Sequence, residues 1–312
     1  MKLYDSMGDG LRINYAENVL VSNCEMYNLQ HSSIFLIDVI GAEIYDNDIK
    51  HITCAGVRLD NCQDVVIRDS LISDWTGTTS AWAGGSNGIQ IGAQPATYGH
   101  TTLSQNIEVY NCDIQGGGCG ICLMDAYQTV GTTAQTVYIH NNEIHDSGDG
   151  NAAAYFSGIS VWSWGNGLNI QYNNIADNFN AGILIYGCFQ SGSTAYVANN
   201  NILDTVQAGT TGGYGIRNLV NTKMTVQAVN NYLSGNILGK YYQVTPTSEA
   251  SSSILTAGII EETVIVPDDP DDPVTPPTNT TPSTDTAIGD RVLLLPIQGG
   301  GYVLLKIVTN AR

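Results

Sequence analysis

The sequence predicts an all-β chain, a right-handed parallel β-helix of about eight coils, and two phrases repeated in phase predict it. The first phrase is Gly-Ile-x-Ile. It reads Gly10-Leu11-Arg12-Ile13, Ser33-Ile34-Phe35-Leu36, Gly56-Val57-Arg58-Leu59 and Gly88-Ile89-Gln90-Ile91, then Gly120-Ile121-Cys122-Leu123, Gly158-Ile159-Ser160-Val161 and Gly182-Ile183-Leu184-Ile185. A weaker last copy is Gly215-Ile216-Arg217-Asn218. The second phrase, apolar-x-x-Asn-x-Ile, falls between successive copies, as in Ile44/Asn47/Ile49, Ile139/Asn142/Ile144, Ile170/Asn173/Ile175 and Val197/Asn200/Ile202. Self-similarity at a fixed period is the mark of a solenoid.

Each phrase alternates with period two, so each predicts a short strand with one face inward. No helical period intervenes, which excludes βαβ units. A coil of about 23 residues cannot bury its apolar face alone and must stack on its like. Stacking brings equivalent residues to about 4.8 Å, so the recurring Asn predicts a buried ladder of side-chain amides. Cys24, Ser70 and Cys112 take the Asn place as small substitutes. The unequal spacing of the repeats predicts inserted loops at fixed corners, chiefly 73–87, 92–105, 126–136, 145–157 and 204–213, where function is expected.

Four segments follow: the β-helix at 1–236, C-terminal cap strands at 237–266, a Pro/Asp/Thr linker at 267–287 and a β-hairpin at 288–312. The linker, PDDPDDPVTPPTNTTPSTDTA, is stiffened by proline and extended by charge. In the hairpin, RVLLLPI and YVLLKIV flank Gln298-Gly299-Gly300-Gly301. Two strands alone are marginal in water, so Leu293, Leu295, Val303 and Leu305 are expected to mediate assembly with protein neighbours, within an oligomer.

Composition narrows the function. The formal net charge of −18 and pI near 4.3 exclude a nucleic-acid partner. Between Arg68 and Arg217 there is no Lys or Arg, while Asp and Glu recur there. Seven scattered cysteines do not make a disulfide framework, and the lone Cys119-x-x-Cys122 lacks a second ligand pair for zinc, so no metal and no cofactor are expected. No run of 18 apolar residues predicts a membrane span, and the opening MKLYDSMGDG does not read as a signal peptide.

These phrases resemble the right-handed parallel β-helix superfamily of pectate lyases, polygalacturonases, phage tailspikes and many archaeal and bacterial surface proteins. The resemblance covers residues 10–236. It implies the fold; activity varies within the superfamily. The lyases use a basic residue beside clustered calcium-binding acids. Here the strand positions after Gly-Ile are Arg12, Phe35, Arg58, Gln90, Cys122, Ser160, Leu184 and Arg217, read as outward-facing, and the central coils hold no base. The polygalacturonase motifs are also absent. The hairpin (GDRVLLLP, YVLLK) resembles barrel strands of tailed-virus baseplate proteins.

Two sets of residues remain as candidate sites. Two positions past the ladder Ile, the coils present Asn28, His51, Asp74, Gly116, Asp146, Asp177 and Asp204. Asp146, Asp177 and Asp204, with His145, are the catalytic candidates, since paired carboxyls suit glycoside hydrolysis. The same row equally suits plain turn formation. Trp162, Trp164, Tyr186, Phe189, Trp75 and Trp82 are the ligand-binding candidates, because flat rings bind sugar faces, while corner shielding is the other reading. Three functions follow. The first is a structural or attachment protein, its rigid body displayed on a larger assembly such as a virion appendage or cell surface and touching glycan or a protein neighbour. The others are a neutral-glycan hydrolase, not a uronate lyase, and a pure glycan-binding module.

Overall fold

A computed structural model of the 312-residue chain describes residues 1–74, 87–92, 104–124, 136–148, 156–164, 167–188, 191–205 and 212–253, and the strands Arg291–Ile297 and Gly301–Ile307. The chain divides into two units, Met1–Ile254 and Leu255–Arg312.

Every helix-or-strand element among the described residues of the first unit is a strand, and each pairs in parallel with its equivalent one coil away. The Gly-Ile-x-Ile phrases form one nine-stranded sheet, here sheet B. It runs Leu11–Asn14, Ile34–Ile37, Ala55–Asp60, Asn87–Gly92, Cys119–Met124, Ile159–Ser163, Ala181–Ile185, Tyr214–Asn218 and Gly239–Tyr242. The Asn phrase does not make a single strand. It straddles a bend between two sheets, C before it and A after it. Val109 lies in Gln105–Tyr110 of sheet C, and Ile114 in Asp113–Gln115 of sheet A. The bend is made by Asn111, with φ of 52°, a left-handed conformation that Asn tolerates better than most residues. Asn23, Asp46, Asp69, Asn141 and Asn199 repeat it on other coils. Met224–Ser234 continues through this bend and so joins sheets A and C into one 17-stranded sheet.

Between the sheets runs one apolar column that includes Ile44, Ile67, Val109, Ile139, Ile170 and Val197. The glycine of the repeat has a steric reason. A Cβ on Gly158 would stand 2.8 Å from the carbonyl oxygen of Gly182, and one on Gly120 would stand 2.6 Å from that of Gly158. Adjacent coils are too close there for any side chain.

The ladder is internal and directional. Asn142 N–H donates to Asn173 Oδ1 at 3.1 Å, Asn173 N–H to Asn200 Oδ1 at 3.0 Å, and Asn200 N–H to Asn231 Oδ1 at 3.0 Å. The amide nitrogens reach back: Asn173 Nδ2 donates to Ile139 O at 3.0 Å and Asn200 Nδ2 to Ile170 O at 3.0 Å. Earlier in the chain Asn47 N–H donates instead to Ser70 Oγ at 3.2 Å, while the Cys112 thiol turns to Tyr110 O. A second, shorter ladder stands at the next corner, where Ser147 N–H donates to Asn178 Oδ1 and Thr205 N–H to Asn236 Oδ1.

Part of the segment expected as a cap extends two of the sheets. Gly239–Tyr242 pairs with Tyr214–Asn218, and Ser248–Glu249 pairs with Met224–Ser234. Tyr241 and Val244 pack against the core. Residues 254–266 and the linker 267–287 lie outside the described residues.

In the second unit Arg291–Ile297 and Gly301–Ile307 pair antiparallel, with Leu293 opposite Leu305 and Leu295 opposite Val303.

Candidate functional site

The row of Asp146, Asp177 and Asp204 is a backbone corner. Asn28, His51, Asp74, Gly116, Asp146, Asp177 and Asp204 all have φ between 48° and 90°. The coils stack here through the backbone, as in Asp177 N–H to Leu203 O at 3.2 Å and Asp204 N–H to Ser234 O at 2.9 Å. Asn, Asp and Gly recur because they enter this conformation at least cost. Corner formation therefore accounts for the residue types without any chemistry.

Chemistry gathers instead on the outer face of sheet A, one strand before that corner. Asp113, Glu143 and Asn174 are register partners on successive coils, as are Gln115, His145 and Ala176. His145 lies between two carboxylates: Nδ1 is 2.8 Å from Asp146 Oδ2, and Nε2 is 3.2 Å from Asp113 Oδ1. Burial opposes its charged form, but the hydrogen bonds to Asp146 and Asp113 outweigh burial, and its pKa is raised. Glu143 is also raised, here because desolvation disfavours its charge; the Asn174 amide, donating to Oε1 at 2.5 Å, and His145 hold the shift back in part. Glu143 therefore keeps its proton to higher pH, and the Asp113 side chain is its register partner on the neighbouring coil. Two adjacent carboxyls are the groups that glycoside hydrolysis uses. Of the sequence candidates, His145 and Asp146 belong to this cluster, while Asp177 and Asp204 do not. Asp113, Glu143 and Asn174 were missed. Their signal is the residue directly after each ladder position, which points outward.

The aromatic candidates separate. Trp164 is fully buried in the core column and offers no ring to a ligand, which corrects its assignment as a contact residue; it bridges to Cys188. Trp162 is half-buried and Tyr186 is 38% exposed. Their rings lie 6.5 Å apart and tilted by 54°, so they adjoin without stacking flat. Phe189, Trp75 and Trp82 lie outside the described residues.

The outward positions of sheet B are largely covered rather than exposed. Phe35, Gln90, Cys122, Ser160, Leu184 and Arg217 are buried, as are six of the seven cysteines. Cys119 and Cys122 form no disulfide, and burial, then the neighbouring Cys119, pushes the Cys122 thiol well up. A Cys122 thiol so placed is inert as a nucleophile.

Sheet C carries a stacked ladder that the sequence reading did not anticipate. Arg68 lies 4.1 Å over the Tyr45 ring, Tyr110 and His140 stack at 5.1 Å and 11°, and Tyr138 stacks on His140 at 4.1 Å. Glu43 and Glu108 bond Arg68 and His140. Because these rings stack on one another, their faces are largely engaged by neighbours, and the ladder ties coils together.

The parallel stacking and the two phrases lead to a family. Residues 104–263, just over half of the chain, match the family described as disaggregatase related. The chain belongs to the disaggregatase-related family. Residues 2–127 match the right handed beta helix region, which makes the body a right-handed parallel β-helix. Domains of these two kinds are typical of secreted and surface proteins. No curated protein and no solved structure matches the chain. Among the described residues no helix is long and apolar enough to cross a membrane. Among the same residues no three His, Cys, Asp or Glu side chains gather as a metal site.

Proposed function

We propose that this chain is a surface-displayed β-helix body that attaches to a neutral glycan, with the C-terminal hairpin holding it to a larger assembly. The observation that carries the glycan contact is the Trp162–Tyr186 pair, two adjoining rings on successive coils with Tyr186 exposed. Exposed aromatic rings bind the apolar faces of sugars. The stretch from 69 to 216, without Lys or Arg, favours an uncharged polymer over a polyanion. The family name speaks of disaggregation, which fits a protein working where surfaces adhere. The test is retention of the full chain on insoluble neutral polysaccharides. Tyr186→Ala is expected to weaken binding several-fold with unchanged circular dichroism. Equal retention of the variant would remove the patch from the argument.

A second reading, hydrolysis of the bound glycan, is favoured by the raised Glu143 beside Asp113. Glu143 would protonate the leaving oxygen and Asp113 would act as nucleophile. Register partners stand about 4.8 Å apart along the axis, near the roughly 5–5.5 Å carboxyl separation of retaining enzymes. Release of new reducing ends that disappears in Glu143→Gln would support this reading. Release that persists unchanged in that variant would refute it.

A further inference from the structure

The described arginines form an uneven set. Arg12 is 3.6 Å from Asp9, Arg58 is 2.8 Å from Asp60 and Arg68 is 2.6 Å from Glu43. Arg217 is more buried than any of them, at 7% exposure, yet among the described residues no carboxylate stands within ion-pair distance of it. Its nearest cationic neighbour in sequence, Lys223, is exposed, so water serves it. Water does not serve Arg217.

Its surroundings are specific. Arg217 lies on the outer face of sheet B, in register between Leu184 and Tyr242. Nη1 donates to Asn180 Oδ1 at 2.9 Å, and Asn180 is itself buried and held by bonds from Gly213 and Tyr214 N–H to its carbonyl. The guanidinium lies 5.5 Å from the Tyr242 ring, which adjoins the Tyr214 ring at 5.1 Å. Nε is buried and has no hydrogen-bond partner. A guanidinium cannot shed its proton to escape burial. A buried charge without a partner is strongly unfavourable, so such a group is retained where something pairs with it.

We infer that Arg217 is the anchor of an anion-binding site on sheet B, taking an oxyanion with two coplanar oxygens, as in a carboxylate. Asn180 fixes one edge of the guanidinium through Nη1. The other edge, Nε with Nη2, is left as a fork, and a fork of two parallel N–H groups matches a carboxylate bidentately. The Tyr242 and Tyr214 rings bound the site on one side. Because the acidic coils before it hold no Lys or Arg, the site selects for a single anionic group and repels an extended polyanion. The assignment stands apart from the glycan contact at Tyr186.

The test uses the full chain, titrated at constant ionic strength with sodium acetate, sulfate or phosphate exchanged for chloride, the thermal midpoint being read. Acetate is expected to raise the wild-type midpoint saturably, and calorimetry to give one site. Arg217→Gln should lose the response. Arg217→Lys, which keeps the charge but not the fork, should bind acetate at least several-fold more weakly. A larger response to sulfate or phosphate than to acetate, absent in Arg217→Gln, would keep the anion site and reject the carboxylate. A wild type indifferent to all three, or an Arg217→Gln variant that responds equally, would overturn the inference. If both variants fail to fold, the wild-type titration decides alone: a flat midpoint and no calorimetric site overturn it.

Discussion

Replacing Asn173 by Leu removes the central rung of the ladder at nearly constant volume, and the structure sets the cost. Asn173 Oδ1 accepts from Asn142 N–H at 3.1 Å and from Asn142 Nδ2 at 3.0 Å. Its own Nδ2 donates to Ile139 O, Gln171 O and Asn200 Oδ1. Some partners retain other bonds: Asn142 Nδ2 still reaches Val109 O, and Asn200 Oδ1 still accepts from the backbone N–H at 173. The buried Asn142 N–H is left with nothing. One orphaned buried donor costs about 1–3 kcal/mol, and the other lost bonds add roughly 1 kcal/mol, so the expected loss is about 3 kcal/mol. Asn173→Ser should cost less, about 1–2 kcal/mol, because Ser70 Oγ already receives Asn47 N–H in this way. Urea unfolding followed by circular dichroism measures both variants, with the change in midpoint giving stability at constant slope. Asn173→Leu as stable as the wild type, or Asn173→Ser worse than Leu, would refute the internal ladder.

Three other outcomes are expected. Gly158→Ala should lose about 1–3 kcal/mol in the same assay, since the new methyl meets Ile175 Cγ2 at 2.7 Å and Gly182 O at 2.8 Å; a neutral result would mean that the coils part easily there. His145 has its folded pKa raised above 6.5, so its stabilisation is full below that value and fades as pH climbs through the folded pKa. His145→Gln should therefore narrow its gap to the wild type as pH rises above 6.5, and a gap that widens would contradict the pairing with Asp113 and Asp146. For the hairpin, Leu293→Asp with Leu305→Asp should lower the oligomeric state by light scattering, burial of each Leu being worth about 1.5–3 kcal/mol; an unchanged mass would end the docking role.

The coil repeat was legible because each copy must meet the same stacking constraint, and Gly56, Ile89 and Asn173 recur at matching places for that reason. The bend inside the Asn phrase was not legible, since Asn111 and Asn142 look alike as letters but one turns the backbone and the other fills the ladder. The row of Asp146, Asp177 and Asp204 carried two readings for a related reason: left-handed geometry and carboxyl chemistry select the same residue type. Asp113 and Glu143 were hidden because their meaning comes from register between coils 30 residues apart. Trp164 was grouped with Trp162 as a contact ring, yet the strand Ile159–Ser163 ends before it and its ring turns into the core. Arg217 stood in view among the sheet B positions, but only burial without a counter-ion gives it significance.

The substitutions within the ladder divide the body into unequal lengths. From Asn142 to Asn231 the amides pass one bond to the next without interruption, all oriented alike, and bonds so aligned polarise and strengthen one another. From Cys24 to Cys112 a thiol, a hydroxyl and a thiol break that relay. Each coil is held chiefly by its neighbours. A pull along the axis would accordingly peel the body from its amino-terminal side, coil by coil, and meet a firmer brake once it reached Asn142. The expected result is a softer amino-terminal end and a harder carboxyl-terminal end to the β-helix, read as two successive force levels when it is pulled along its axis.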